Sequence, residues 1–380
     1  MTESDPLRDL TTPALILDEA RMHRNIARMN ARIAALGVAL RPHLKTAKSV
    51  DVARLQLAGA GGRGTVSTLK EAEVMAAEGV RDLIYAVGVT PQKLARVAQL
   101  RAAGCDLTVV LDSLAQACAV IAASREGPCP IPALIEIDSD GHRSGLRPDD
   151  PALVAIGRQL HAEGLLRGIM THAGESYRVV GADALAAFAE QERAAATAAA
   201  EALREAGLAC GVVSVGSTPT AHAARDLSGV TEVRAGVYVF FDLVMAGLGV
   251  CTLDDIALSV LTTVIGHQKD RGWTLVDAGW MALSSDRGTA QQATDQGYGL
   301  VCDLDGRPLA DLIVISANQE HGIIAPRPGA KTQGPDLPVG ARLRILPNHA
   351  CNTAAQHDAY AVITADGASP MAFWPRFRGW

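Results

Sequence analysis

Short apolar runs alternate with amphipathic stretches over most of the chain. Eight runs have the length of buried parallel strands, and most are separated by segments with apolar residues at helical spacing. Eight such repeats over roughly 240 residues have the size of a (β/α)8 barrel. The runs lie at residues 38–40, 64–67, 83–87, 107–111, 133–137, 166–171, 212–215 and 231–233.

Another short apolar run, at 12–18, precedes these repeats. Asp18 is predicted to cap a helix whose apolar residues from Met22 to Ile33 follow helical spacing, and Gly37 is predicted to end this helix. A doubly wound open sheet is the competing fold, but its glycine-rich dinucleotide fingerprint is missing after the first strand. We therefore favour the barrel. The alanine-rich segment 184–206 has one apolar side and is predicted to be a long outer helix.

The pattern changes after Gly249. Compact or alternating apolar runs are now separated by turn residues, and Asp305-Gly306 and Asp366-Gly367 are hairpin signals. We therefore predict an α/β protein with two domains: a TIM-type (β/α)8 barrel over residues 11–249, and a C-terminal, mostly β domain over 250–380. Residues 1–10 could belong to the second domain.

Composition narrows the class of protein. The chain has 380 residues, of which 48% are hydrophobic and 20% charged, and its formal net charge is −6. This charge argues against a nucleic-acid partner. The polar start is not a signal peptide, and no apolar run has the length of a membrane span. The seven cysteines lack a framework spacing and are expected to be reduced, so we expect a cytoplasmic protein.

Lys45 follows the first barrel run, in the segment Arg41-Pro42-His43-Leu44-Lys45. In a barrel it would project from the carboxyl end of the strand, where ligands bind. A lysine there can lose its proton by desolvation and form a Schiff base with an aldehyde cofactor. On this segment alone, a surface lysine that opens a helix is an equally good explanation.

Two later loops offer a phosphate site. The seventh run leads into Gly216, Ser217 and Thr218. The eighth leads through Arg234 into a loop formed by Gly236, Val237 and Tyr238. Small residues and hydroxyls before a helix can hold a phosphate, and barrels bind phosphate after strands seven and eight. Ordinary turn chemistry could explain each loop alone. Together with Lys45, the two loops indicate pyridoxal 5′-phosphate as cofactor.

Three more residues at predicted strand ends each have two explanations. Arg143 could hydrogen-bond the phenolic oxygen of the cofactor or pair with a carboxylate. His172 could stack on the pyridine ring or be a satisfied, half-buried histidine. Tyr177, in the same loop as His172, could reach the cofactor or pack on the barrel rim.

His349 and Cys351 form a second cluster, after the apolar run 342–346. Residues two apart in an extended segment point the same way, so this imidazole and thiol can converge. The pair suits zinc and leaves positions for water and substrate, although His-x-Cys alone is a weak signal. His321 could bind substrate nearby or belong to a polar turn.

In combination these motifs resemble the fold-type III pyridoxal-phosphate enzymes, and within them the metal-activated branch of D-serine dehydratases, D-threonine aldolases and 3-hydroxyaspartate lyases. The resemblance implies a homodimer, Lys45 as the Schiff-base lysine and His349 and Cys351 as metal ligands. Arg234 resembles the arginine that contacts the pyridine nitrogen in alanine racemases. The matching segments are Thr12-Pro13-Ala14, Arg41 to Lys45, Gly216 to Thr218, Tyr238 to Asp242, Asp277-Ala278-Gly279, Glu320-His321-Gly322 and Pro347 to Cys351.

The residues that bind the metal distinguish the aldolases of this branch from its dehydratases. Its aldolases usually pair histidine with an oxygen ligand, whereas this chain reads His349-Ala350-Cys351, the pattern of the dehydratases. The resemblance therefore implies β-elimination from a D-3-hydroxy amino acid: D-threo-3-hydroxyaspartate to oxaloacetate and ammonia, with D-serine as a further substrate. Retro-aldol cleavage is the alternative. Zinc is the favoured metal, with manganese, cobalt and magnesium as other candidates. A racemase or a non-catalytic cofactor carrier fits less well, because neither explains the metal pair.

Overall fold

The chain forms two compact units. The structure is a computed structural model that describes residue 7 and residues 9–330, 336–365 and 371–380. The barrel unit comprises Ile26–Tyr238 with Arg378–Trp380, and the β unit comprises the residues before Ile26 with Val239–Phe377. The predicted boundary at 249 thus differs from the division that chain contacts give, because residues from Val239 onward pack within the β unit.

Eight parallel strands build the barrel unit. Their spatial order is β2-β9-β8-β7-β6-β5-β4-β3, and the ring closes where His43 bridges Thr65 in parallel and Leu44 N donates to Thr65 O at 2.9 Å. This closure confirms the barrel and excludes the doubly wound open sheet. The strands are β2 Ala39–Pro42, β3 Arg63–Val66, β4 Asp82–Gly88, β5 Asp106–Leu111, β6 Ala133–Ile137, β7 Leu166–Thr171, β8 Val212–Val215 and β9 Glu232–Ala235.

Several helices begin at polar caps that the sequence supplies. Asp18 Oδ1 accepts from Arg21 N at 2.9 Å, as predicted for the first helix, and Thr68 Oγ1 accepts from Glu71 N at 3.0 Å. The long outer helix is present as α7. The helices up to the last barrel strand are α1 Glu19–Ala35, α2 Val50–Ala58, α3 Leu69–Ala77, α4 Leu94–Ala102, α5 Leu114–Glu126, α6 Pro151–Ala162, α7 Ala182–Glu205 and α8 Thr218–Ala223.

The β unit contains a nine-stranded sheet in the order β11-β14-β13-β12-β15-β10-β1-β16-β17, in which β10 also pairs with β11. The first strand, β1 (Ala14–Asp18), runs antiparallel to β10 and parallel to β16. The other elements are α9 Leu243–Gly247, β10 Leu258–Gln268, β11 Trp273–Val276, α10 Trp280–Leu283, β12 Leu300–Cys302, β13 Pro308–Ala317, β14 Gly322–Pro326, β15 Arg342–Leu346, α11 Ala350–Ala354, β16 Ala359–Ile363 and β17 Ala372–Pro375.

The position of β1 corrects one expectation. Residues 11–18 were assigned to the barrel domain, but β1 finds its hydrogen-bond partners in the sheet of the β unit. Asp277 holds the preceding residues there, because its carboxylate accepts from the hydroxyls of Thr12 at 2.5 Å and Thr262 at 2.7 Å. This contact joins the Thr12-Pro13-Ala14 motif to the Asp277-Ala278-Gly279 motif.

The other sequence signals of the β unit have mixed outcomes. Asp305-Gly306 lies in the connection between the antiparallel strands β12 and β13, which confirms that hairpin. Asp366-Gly367, residues 1–6 and residue 8 lie outside the described residues. Within the described ranges, no helix is both long enough and apolar enough to cross a bilayer.

Gly168 gives a test of the barrel. It pairs with Val212 between β7 and β8, its φ is +147°, and a Cβ there would lie 1.9 Å from Val212 O. We predict that Gly168→Ala lowers the free energy of unfolding by at least about 2 kcal/mol, measured by urea denaturation. The control is Gly211→Ala, whose Cβ would come no closer than 3.9 Å to Arg167 O. Equal effects of the two substitutions would contradict the prediction.

Candidate active site

Lys45 lies in a turn between β2 and α2. The turn starts where His43 bridges Thr65, and Lys48 N closes it by donating to Leu44 O at 3.1 Å. The Lys45 side chain is exposed at the carboxyl end of β2. Lysine therefore stands in a turn at the ligand-binding end of the barrel, five residues before α2 begins at Val50.

Lys48 holds this turn in place. Its φ of +46° is in the left-handed region, which a non-glycine residue adopts only when its surroundings enforce it. Lys48 Nζ lies 3.3 Å from Oε1 of the fully buried Glu71, which also accepts from Ser67 N at 2.9 Å. The ion pair thus ties the Lys45 turn to the loop after β3. No pattern in the sequence indicates this role of Lys48.

Two neutral imidazoles flank Lys45. Burial, followed by the charge of Lys45, lowers the pKa of His43 well below its usual value and that of His172 to about 3. His43 Nε2 lies 3.3 Å from Ser67 Oγ, and His172 Nδ1 donates to Gly216 O at 2.9 Å. Because Lys45 acts on both rings, the predicted residues Lys45 and His172 lie near each other.

Arg234 is buried inside the barrel in a network of polar groups. Its Nη1 donates to Ser214 Oγ at 2.7 Å and its Nη2 to Thr171 O at 2.5 Å. Ser214 Oγ donates in turn to Glu232, which accepts from Arg41 Nε at 2.8 Å. Burial lowers the pKa of Arg234, and the charge of Glu232 opposes this effect. These bonds fix the direction of the guanidinium.

The loops after β8 and β9 meet the same end of the barrel. Ser217 caps α8, since its Oγ accepts from Thr220 N at 3.2 Å. The neighbouring Thr218 Oγ1 is buried and, among the described residues, has no hydrogen-bond partner. A Cβ on Gly236 would lie 3.1 Å from Thr46 Oγ1, so the loop after β9 packs directly on the Lys45 turn. A phosphate oxygen would supply the partner that Thr218 lacks.

Four other predicted residues have environments that limit their roles. The Arg143 side chain is 55% exposed and lies 4.0 Å from Glu136 Oε1. Tyr177 is half-buried in the loop after β7. Val237 and Tyr238 are buried in the turn after β9, and the Tyr238 hydroxyl accepts from Gln56 at 3.3 Å. A cofactor contact of Tyr238 would therefore come from its backbone.

His349 and Cys351 come together in the β unit just after β15, where His349 is the N-cap of α11 and Cys351 lies in its first turn, so a helix start and not the expected extended segment brings them together. His349 Nδ1 lies 3.0 Å from Asp286 Oδ2, and its ring also hydrogen-bonds Cys351. Burial opposes a charge on His349, but Asp286 and Cys351 outweigh it and raise its pKa to about 11. Asp242 anchors the segment by accepting from Ala350 N at 2.9 Å. Partners that stabilise a proton here also suit a metal cation.

The donor set of this pair fits a borderline-soft divalent ion. Imidazole nitrogen and thiolate sulfur are both ligands of zinc, and Asp286 would orient the ring of His349. Within the described residues, no group of three or more His, Cys, Asp and Glu side chains is arranged to hold a metal. Two protein ligands would leave the remaining positions to water and substrate.

Sequence reasoning missed four carboxylates. Glu71, Glu192, Asp242 and Asp286 each hold a segment of the candidate site through hydrogen bonds. Two of them had a detectable signal: Glu192 interrupts the small apolar residues of the buried face of α7, and Glu71 stands three residues after the helix cap Thr68. The contacts of Asp242 with Ala350 and of Asp286 with His349 join distant segments, which a local pattern does not show.

Known protein families match both parts of the chain. The model of the alanine racemase N-terminal domain matches residues 17–244. The chain belongs to the alanine racemase N-terminal domain family. This family consists of pyridoxal-phosphate-dependent enzymes. A second family model, of a putative serine dehydratase domain, matches residues 257–363.

Individual relatives match over the full length. D-threo-3-hydroxyaspartate dehydratase of Delftia sp. (strain HT23) is 57% identical, and the alignment covers 99% of this chain and 100% of that protein. A D-threonine aldolase of Arthrobacter sp. is 31% identical, and the alignment covers 94% of this chain and 90% of that protein. A solved structure of the dehydratase, a cysteine-to-alanine mutant in the metal-free form, has a TM-score of 0.96 at 57% identity, covering 99% of this chain and 100% of that one.

The neutral imidazoles predict how stability depends on pH. His172 has a folded pKa of about 3 against 6.5 ordinarily, so between these values the unfolded chain binds a proton that the folded chain does not. The stability that depends on a neutral His172 is therefore fully present above pH 6.5 and is lost as the pH falls toward 3. The contribution is at most about 1.4 kcal/mol per pH unit. We predict that His172→Asn reduces this slope in urea unfolding series; an unchanged slope would contradict the prediction.

Proposed function

We propose that this protein is a pyridoxal-phosphate- and metal-dependent lyase that dehydrates D-3-hydroxy amino acids. D-threo-3-hydroxyaspartate is the main substrate and yields oxaloacetate and ammonia; D-serine is a further substrate. The observation that carries the proposal is the 57% identity, over 99% of the chain, to a D-threo-3-hydroxyaspartate dehydratase. The match of the serine dehydratase domain supports D-serine.

The residues around Lys45 are those that would hold the cofactor. Lys45 is its attachment point, and Gly216 to Thr218 with Gly236 to Tyr238 hold its phosphate. His172 would stack on its ring and Arg234 would contact its pyridine nitrogen. Arg143 would hydrogen-bond its phenolic oxygen, and Tyr177 would reach the cofactor from the loop of His172. The buried, unpartnered Thr218 Oγ1 supports the phosphate assignment.

Lys45 moves the proton in the reaction. With pyridoxal phosphate bound, the Lys45 amine would remove the proton from Cα of the substrate. Bound pyridoxal phosphate supplies an electron sink for the negative charge that develops there. Burial disfavours protonation of His43 and His172, so both imidazoles stay neutral while Lys45 carries the proton.

His349 and Cys351 handle the leaving group. Hydroxide leaves poorly by itself, and a divalent ion held by these two residues supplies a Lewis acid for the β-hydroxyl. Asp286 keeps the imidazole oriented through its 3.0 Å contact with Nδ1. We favour zinc for the nitrogen and sulfur donors, with manganese, cobalt and magnesium as the other candidates. The metal-free mutant structure of the dehydratase supports a metal role.

Retro-aldol cleavage is the second candidate, because the aldolase of Arthrobacter sp. is 31% identical to this chain. In that reaction the proton of the hydroxyl is removed and the Cα–Cβ bond breaks. We favour elimination on the His349-Ala350-Cys351 pattern and on the higher identity to the dehydratase.

We also propose that the enzyme is a cytoplasmic homodimer whose only substrates are small molecules. All seven cysteines lie in the described part of the chain and none forms a disulfide, which supports a reducing compartment. The net charge of −6 disfavours nucleic-acid binding.

Product analysis tests the reaction. Incubation with D-threo-3-hydroxyaspartate should yield oxaloacetate and ammonia, and D-serine should yield pyruvate and ammonia, both measured by coupled assays. Lys45→Ala should lower activity by at least about 10³-fold, because the proton then has no acceptor. Borohydride reduction of the wild type should leave the cofactor on the peptide that contains Lys45. Glycine with glyoxylate or an aldehyde as products would show the aldolase instead.

Metal content tests the role of the β-unit residues. His349→Ala should abolish both bound metal and activity, since one of two protein ligands is lost. Asp286→Ala should weaken metal binding about 10- to 100-fold, because the imidazole loses its orienting partner. Asp270→Ala, an exposed carboxylate in a turn, is the control and should bind metal normally. Full activity after complete chelation would refute the metal role.

A further inference from the structure

Glu192 is a buried carboxylate on the long helix α7. It is 2% exposed and lies on the face that also buries Leu185, Ala189 and Ala196. Buried carboxylates are costly unless their oxygens accept hydrogen bonds, so the partners of Glu192 indicate what it does.

Glu192 joins two loops with one oxygen. Its Oε1 accepts from Gly216 N at 2.8 Å and from Ala173 N at 3.2 Å. Ala173 follows His172 after β7, and Gly216 opens the loop after β8. Both amides belong to the barrel end that carries Lys45. A second link, 2.8 Å between Ser176 Oγ and Ser217 Oγ, joins the same two loops.

Gly216 transmits this constraint to the residues that follow it. Its N–H is held by Glu192 and its carbonyl by His172 Nδ1 at 2.9 Å. Its φ is +138°, and a Cβ would lie 2.0 Å from Arg234 O, so only glycine fits. Because both its N–H and its carbonyl are held, Gly216 fixes the position of Ser217 and Thr218, where α8 begins.

We propose that Glu192 is a positioning residue for the phosphate of the cofactor: by clamping Ala173 and Gly216 it fixes the loop that presents Ser217 and Thr218. This inference rests on the proposed function. It assigns Glu192 no contact with cofactor or substrate, only the placement of groups that make that contact.

A carboxylate beside a phosphate site requires an explanation. Burial raises the pKa of Glu192, whereas its hydrogen bonds with Thr220 and the two backbone amides and the positive charge of Arg234 act in the opposite direction. The two backbone amides need an acceptor, which the oxygen of a glutamine can also provide. A hydrocarbon side chain would leave both amides buried and unpaired.

The test compares phosphorylated and unphosphorylated cofactor. Full-length protein is stripped with hydroxylamine, and the Kd values of pyridoxal phosphate and pyridoxal are measured by visible absorption. Glu192→Leu should raise the Kd of pyridoxal phosphate roughly 10- to 100-fold and leave the Kd of pyridoxal within about threefold of the wild-type value. Glu192→Gln should bind both as the wild type does. Glu201→Leu, the same change at an exposed position of α7, is the matched control.

The possible outcomes separate the two proposals. Equal weakening of both compounds would mean a merely structural role and overturn the inference, as would unchanged binding in Glu192→Leu. If Glu192→Leu does not fold, Glu192→Asp, which withdraws the oxygen by one methylene, replaces it and should show the same selective loss. A wild-type protein that binds neither compound would overturn the proposed function itself.

Discussion

The closure of the barrel between β2 and β3 is the constraint on which the candidate site depends. His43 bridges Thr65 at this seam, and Lys45 follows two residues later. Lys45 is therefore tied to the sheet through His43, and the turn cannot move without opening the ring. The loop after β9 packs on the same turn at Gly236. The geometry of the rim thus follows from pairing the first barrel strand with its neighbours.

Most of the fold could be predicted because its signals are local. Buried parallel strands read as continuous apolar runs, and the intervening helices carry caps such as Thr68 and apolar spacing such as that of α1. The position of β1 could not be predicted. Its apolar run fits either sheet equally well, and only pairing with β10 and β16 decides between them.

The site could be predicted only where the residue type itself carries the chemistry. A lysine at a strand end indicates Schiff-base chemistry, and a His-x-Cys pair indicates metal binding, because these side chains have the required functional groups. The groups that hold them do not. Asp286 is unremarkable in sequence and its partner His349 lies in another segment, and the ion pair of Glu71 with Lys48 joins two separate loops. Lys48 shows the limit clearly, because its backbone φ of +46° and its ion pair with Glu71 depend on tertiary contacts.

The internal position of β1 in its sheet has a consequence for biosynthesis. β1 pairs with β10 and β16, which are made only after the whole barrel sequence, roughly 240 residues or more later. An apolar strand near the start of the chain must wait unpaired on the ribosome until its neighbours emerge. Completion of the β unit is therefore a late step, and a truncated chain would expose the edges of β1 to aggregation.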